Sequence, residues 1–183
     1  MPAKKHVVVK SIEEFTPVGV TCFPNLFETE VDALGNDTNK YNTMLVFSES
    51  QDLSKVEALI NQVKEEAFPG VDDSELTLPI KDNAVKAHLG FPFDKPGSFL
   101  KVNTIYKPVV VDVNAEQVID PNEVYAGAYG RARAHAFSWD IAGGDKGISL
   151  RFSGYQKRKE GKRLAGGSSF SAFEEDEGVD DLL

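Results

Sequence analysis

With a single cysteine, Cys22, the chain has no intrachain disulfide and no means of building a cysteine-rich zinc site. Its three histidines, His6, His88 and His135, are scattered and do not stand at ligand spacing. No apolar run reaches membrane-spanning length. The N-terminal Met-Pro-Ala-Lys-Lys-His leads into Val-Val-Val and then acidic residues, which is not the build of a signal peptide. Nucleophile settings are missing as well: there is no G-x-S-x-G elbow, and Cys22 has no neighbouring histidine. The glycine pairs Gly143-Gly144 and Gly166-Gly167 fit neither the Walker pattern nor Rossmann spacing. No cofactor, metal, membrane or catalytic role is expected, and a reducing cytoplasm is the expected compartment.

What is present suits a globular protein. The 183 residues suffice for one domain with a real core plus a tail, with 41% hydrophobic and 27% charged residues. The net charge of −9 is unevenly placed. Residues 1–100 hold nine Lys/Arg against sixteen Asp/Glu, residues 101–172 hold eleven against seven, and residues 173–183 hold six acids and no base. A basic stretch is therefore followed directly by an anionic terminus, and distribution matters more for nucleic acid than the sum.

The basic stretch has a period of two. From Tyr125 to Trp139 the odd positions are Tyr125, Gly127, Tyr129, Arg131, Arg133, His135, Phe137 and Trp139, and the even ones hold only Ala, Gly and Ser. In an extended strand this puts every bulky aromatic and every charge on one face. Cations interleaved with rings are what a sequence-tolerant single-stranded nucleic acid site uses, with charges for phosphates and rings for bases. The competing reading is a core strand that turns Phe137 and Trp139 inward, with Gly127 and Gly130 marking a bulge or bend. Residues 148–157 favour the first: Ile148, Leu150 and Phe152 alternate with Ser149, Arg151, Ser153, Tyr155 and Lys157. The glycine-rich run from Asp140 to Gly147 suits a hairpin turn. Pairing the two strands predicts one surface that joins Arg131, Arg133, His135, Phe137 and Trp139 to Arg151, Tyr155 and Lys157. Arg131, Arg133, Arg151 and Lys157, with Lys101 and Lys107 from outside the two strands, are expected to neutralise phosphates, and Tyr129, Phe137, Trp139 and Tyr155 to stack bases.

Elsewhere, 18–27, 41–47, 99–106 and 109–113 read as strands, and residues 1–10 as frayed or an added strand. Leu53, Val56, Leu59, Ile60, Val63 and Ala67 recur at helical spacing, and Ser54 with Glu57 predicts a capping box, with the helix ending near Pro69-Gly70. Residues 69–98, with four prolines, read as a long irregular insertion, and 157–163 as a charged turn. Many strands, one helix and no βαβ alternation predict a mainly β fold, a small antiparallel barrel. One domain is expected over residues 1–165, followed by a flexible Gly/Ser linker and acidic tail over 166–183. The tail acids Glu174, Glu175, Asp176, Glu177, Asp180 and Asp181 precede Leu182 and Leu183, the composition of a disordered docking peptide for a basic, grooved partner.

Two other readings stand beside this one. In a protein-interaction or DNA-mimic module the acidic surface of residues 1–100 is the working face. In a metal-dependent nuclease, Asp140 or Asp145 with Glu160-Gly-Lys162 would hold the ion, although that run sits in a charged turn without visibly converging carboxylates.

A resemblance adds to the residue-level reading. The order Cys22-Phe-Pro-Asn-Leu-Phe27, Lys40-Tyr-Asn-Thr-Met-Leu-Val46, Lys107-Pro-Val-Val-Val-Asp112, Ile119, Tyr125-Ala-Gly-Ala-Tyr129, Phe137-Ser-Trp-Asp140, Lys146-Gly147-Ile and Gly154-Tyr-Gln-Lys157 resembles a family of tailed-phage proteins akin to phage single-stranded DNA-binding proteins. The resemblance spans roughly residues 18–167. It implies a five-stranded oligonucleotide/oligosaccharide-binding barrel (OB-fold), single-stranded DNA as ligand in phage replication, recombination or repair, replication or recombination proteins recruited by the tail, and the host-cell cytoplasm as location. Gly130, Ala134 and Ala136 depart from it, standing where larger apolar residues are expected, and the Leu-Leu end differs from the aromatic end of related proteins. Oligomeric state is left open between monomer and dimer.

Overall fold

The computed structural model describes residues 7–164; the linker and tail fall outside the described residues. Eight strands form one sheet. In chain order they are β1 (Glu14–Phe15), β2 (Gly19–Asn25), β3 (Tyr41–Ser48), β4 (Ile80–Asp82), β5 (Gly97–Thr104), β6 (Val109–Val111), β7 (Tyr129–Asp140) and β8 (Lys146–Lys159). The helix α1 (Ser54–Ala67) lies between β3 and β4.

Five of these strands close on themselves. β2 pairs β3, β3 pairs β5, β5 pairs β8, β8 pairs β7, and β7 returns to β2. Four of the five pairings are antiparallel and β5–β8 is parallel, so the ring is the OB-fold-like barrel with one parallel seam rather than an all-antiparallel one. The other three strands lie outside the ring: β1 edges β7, β4 pairs the first half of β5, and β6 continues along β8 where β5 leaves off.

The core fills the ring and takes in one face of the helix. Leu45, Phe47, Leu100, Val102, Ile148, Leu150 and Phe152 point inward and meet Val56, Leu59, Ile60 and Val63 of α1. The helix packs against β7, and Ala132, Ala134 and Ala136 are the residues that let it approach: each is buried, and none has bulk to hold it off. That accounts for alanine at two of the three departing positions. Helix entry differs from expectation. Ser54 is already inside the first turn, so no capping box forms and the Asp52 carboxylate accepts the Ser54 N–H at 2.9 Å instead.

The segment 69–98 is less irregular than its prolines suggest. It contributes β4 and a 3-10 turn over Asn83–Leu89, and the buried Asn83 amide donates to the carbonyls of Phe47 and Lys95. Its Phe93 covers a second apolar cluster of Val20, Cys22, Val46 and Phe99, with the Phe93 and Phe99 rings edge to face at 5.5 Å. This cluster lies on the outside of the barrel wall, because Val46 alternates with the inward Leu45 and Phe47. Burial among apolar neighbours pushes the Cys22 thiol up to about 12, so it stays protonated.

Candidate nucleic-acid interface

The alternation read along β7 is present in three dimensions. Ala132, Ala134, Ala136 and Ser138 are buried, while Arg131, Arg133, His135, Phe137 and Trp139 line the outer face with Tyr129 at its start. β8 runs beside β7 over its whole length, pairing His135 with Arg151, Phe137 with Ser149 and Trp139 with Gly147. Arg151 therefore shares the outer face, as expected from its parity.

Two residues expected on that face are not there. The register shifts between Arg133, opposite Gly154, and Ala134, opposite Phe152, leaving Ser153 as an extra residue in β8. A bulge of one residue reverses every later side chain. Tyr155 is thereby turned into the barrel, 2% exposed, with its hydroxyl 2.6 Å from Thr21 Oγ1. The space it fills is the one Gly130 leaves open, since a Cβ at 130 would stand 2.2 Å from the Tyr155 hydroxyl. Lys157 shares the inward parity. Its side chain is 12% exposed, its Nζ bonds Glu160 Oε1 at 2.5 Å and lies 5.2 Å from the Tyr125 ring centre. Gln156 takes the outer position that the sequence pattern gave to its neighbours, opposite Arg131.

On the outer face cations and rings are already in contact. The Arg151 guanidinium lies 4.8 Å from the Phe137 ring centre, and Arg131 lies 4.2 Å from that of Phe15. Arg131 Nε also donates to Gln156 Oε1 at 3.0 Å. The Trp139 indole N–H donates to Ser149 Oγ at 2.9 Å, which fixes the ring beside the hairpin turn. Tyr129 packs against the outer cluster under Lys159.

Strand register assembles a band that crosses the whole barrel wall. Asn25 on β2, Asn42 on β3, Asn103 on β5, Arg151 on β8 and His135 on β7 are successive Cα partners. The Asn25 amide donates to Asn42 Oδ1 at 2.9 Å. At the other end, His135 Nε2 and Arg151 Nε are both buried and have no hydrogen-bond partner among the described residues. Burial holds the His135 imidazole below its ordinary range, helped by Arg151, while Glu13 acts in the opposite sense. Lys101 stands one step along β5 from Asn103 on the same face, with Nζ 3.8 Å from Glu30.

Several of these residues carry no signal in a linear reading. The three asparagines are 17 and 61 positions apart and meet only through register. Tyr106, 69% exposed, sits in the four-residue excursion 105–108 between the two parallel pairings with β8. Lys107 is in the same excursion and lines an open cleft with Phe27, Val109, Val111 and Ile119, away from the β7 row. Glu160 is bonded to Lys157 and to the Tyr125 hydroxyl, which hold its carboxyl below the usual range. No grouping of three or more His, Cys, Asp or Glu that could hold a metal ion occurs among the described residues. No helix among them is long and apolar enough to cross a membrane.

Comparison with known proteins bears on both fold and family. A family model described as the ssDNA-binding protein of Enterobacter phage Enc34 matches residues 19–183. No curated protein sequence matches the chain. Among solved structures, the single-stranded DNA-binding protein from bacteriophage Enc34 in complex with ssDNA superposes with a TM-score of 0.65 at 19% identity, covering 88% of this chain and 99% of that one. The same phage protein in another structure gives 0.64 at 20% identity over 88% and 89%. The single-stranded DNA-binding protein gp2.5 encoded by bacteriophage T7 gives 0.57 at 14% identity over 85% and 94%.

Proposed function

The chain belongs to the family of the ssDNA-binding protein of Enterobacter phage Enc34, and from that membership we propose that it binds single-stranded DNA without sequence preference on the outer face of β7, β8 and β5. The observation that carries the placement is the one-sided β7 strand, whose exposed face sets Arg131, Arg133 and His135 next to Phe137 and Trp139 while its alanine face is buried against α1. Arg131, Arg133 and Arg151, with Lys101, neutralise phosphates. Phe137 and Trp139 stack bases, each stack being worth about 1–3 kcal/mol. His135 and Arg151, Cα partners on this face, add a polar pair to it. Tyr129, packed against the outer apolar cluster and under Lys159, marks the edge of this surface.

The protein works by binding rather than catalysis, covering exposed strands during phage replication or recombination. The acidic residues 174–181 and Leu182-Leu183 serve as the docking segment for replication or recombination proteins, by composition alone. Titration of labelled oligo-dT at two salt concentrations tests the reading: affinity should fall steeply with salt and exceed that for duplex, and equal binding of duplex would refute it.

A further inference from the structure

The N-terminal segment 9–16 lies along β7 as an added edge. Val9 O accepts the Ser138 N–H, Ser11 N–H donates to Ala136 O, and Thr16 N–H donates to Ala132 O, each at 2.9 Å. Phe15 is the Cα partner of Arg133, so it shares the outer face with it. This segment precedes residue 19, where the family match begins. Two of its side chains already occupy arginines of the β7 row: the Phe15 ring lies under Arg131 at 4.2 Å, and Glu13 Oε2 is 2.7 Å from Arg133 Nε.

We propose that Glu13 is an internal competitor for DNA at Arg133, holding the guanidinium with a carboxylate until a phosphate displaces it, and so sets the affinity of that end of the interface. The inference rests on the reading of this face as a single-stranded DNA site. A carboxylate and a phosphate offer the same kind of anionic oxygens to an arginine fork, so the two compete for Arg133 Nε and repel each other across the one guanidinium charge. The pair is exposed, with side chains 57% and 34% accessible, and an exposed ion pair is weak enough for a strand of phosphates to replace it. Phe15 stays in place when this happens, because the backbone of the segment is hydrogen-bonded to β7 independently of Glu13.

The test is a four-protein cycle of the full chain, Glu13→Gln, Arg133→Gln and the double variant, titrated with oligo-dT at low and moderate salt. Glu13→Gln should bind roughly two- to fivefold tighter at low salt, with a log–log salt slope steeper by about 0.7 for the added phosphate contact. The gain should vanish in the Arg133→Gln background. An equal gain in both backgrounds would reduce Glu13 to a general negative charge, and a loss of affinity in Glu13→Gln would make it a support that orients Arg133; either overturns the proposal while leaving the DNA-binding reading intact. Absence of binding by all four proteins, with unchanged thermal melts, overturns both.

Discussion

The hydroxyl of Tyr155 meets that of Thr21 at 2.6 Å inside the barrel, joining β8 to β2 across the ring interior. Tyr155→Phe leaves Thr21 Oγ1 buried without its partner and should cost about 1–3 kcal/mol of stability. Tyr155→Ala should cost about 3–5 kcal/mol. Gly130→Ala should destabilise as well, since its Cβ would collide with the tyrosine. Urea melts measure all three, and the affinity of the folded variants for oligo-dT should match the parent.

Burial pushes the Tyr155 phenol up, opposed in part by its bond to Thr21. The unfolded chain releases that proton near pH 10. Stability from this group is therefore constant below about pH 10 and declines as pH rises beyond it. Urea melts from pH 8 to 11 should show the decline, and Tyr155→Phe should flatten its share.

The His135 imidazole is held below its ordinary range first by burial and then by Arg151, with Lys10 acting in the same sense and Glu13 against it. A phosphate beside it favours the charged form, so DNA binding should take up a proton. Affinity for oligo-dT should rise as pH falls below about 6.5, the ordinary histidine value. In the absence of DNA the sign reverses: the unfolded chain binds the proton more readily, and stability should fall over the same window. His135→Gln should flatten both curves. An affinity independent of pH between 7.5 and 5.5 would place the phosphate path away from the His135–Arg151 pair.

Much of this surface was legible in the sequence, and the part that was not has identifiable causes. The β7 alternation spans twelve residues without interruption in that strand, so a period of two located its outer face correctly. The same rule misplaced Tyr155 and Lys157 because Ser153 adds one residue to β8, and nothing in Arg-Phe-Ser-Gly-Tyr announces which residue is the extra one. Helix α1 was legible from its apolar spacing, whereas β1 and β4 are too short to show a period. The band from Asn25 to His135 is a product of register between strands far apart in sequence. Phe93 reads as part of an irregular proline-rich segment, and only the fold shows it covering the outer cluster.

Deleting residues 173–183 removes six carboxylates from an anionic terminus proposed to compete with DNA for the basic face. Affinity for oligo-dT should rise at low salt, and the difference should shrink near 1 M salt, where the Debye length falls to about 3 Å. Replacing only Leu182 and Leu183 with serine should leave DNA affinity unchanged and abolish capture of replication proteins. Equal affinity of the full and shortened chains at low salt would reduce the tail to a solubilising terminus.

Trp139, on the outer face of β7 proposed to bind DNA, is the chain's single tryptophan. Fluorescence during titration with oligo-dT therefore reports directly from the proposed site. Strong quenching is expected that saturates with binding, weakens as salt is raised, and is absent with duplex at matched concentration. Trp139→Ala should keep the parent melt and lose affinity corresponding to about 1–3 kcal/mol. Binding of oligo-dT with unchanged Trp139 emission, and with undiminished affinity in Trp139→Ala, would contradict the placement of the site on β7 and β8.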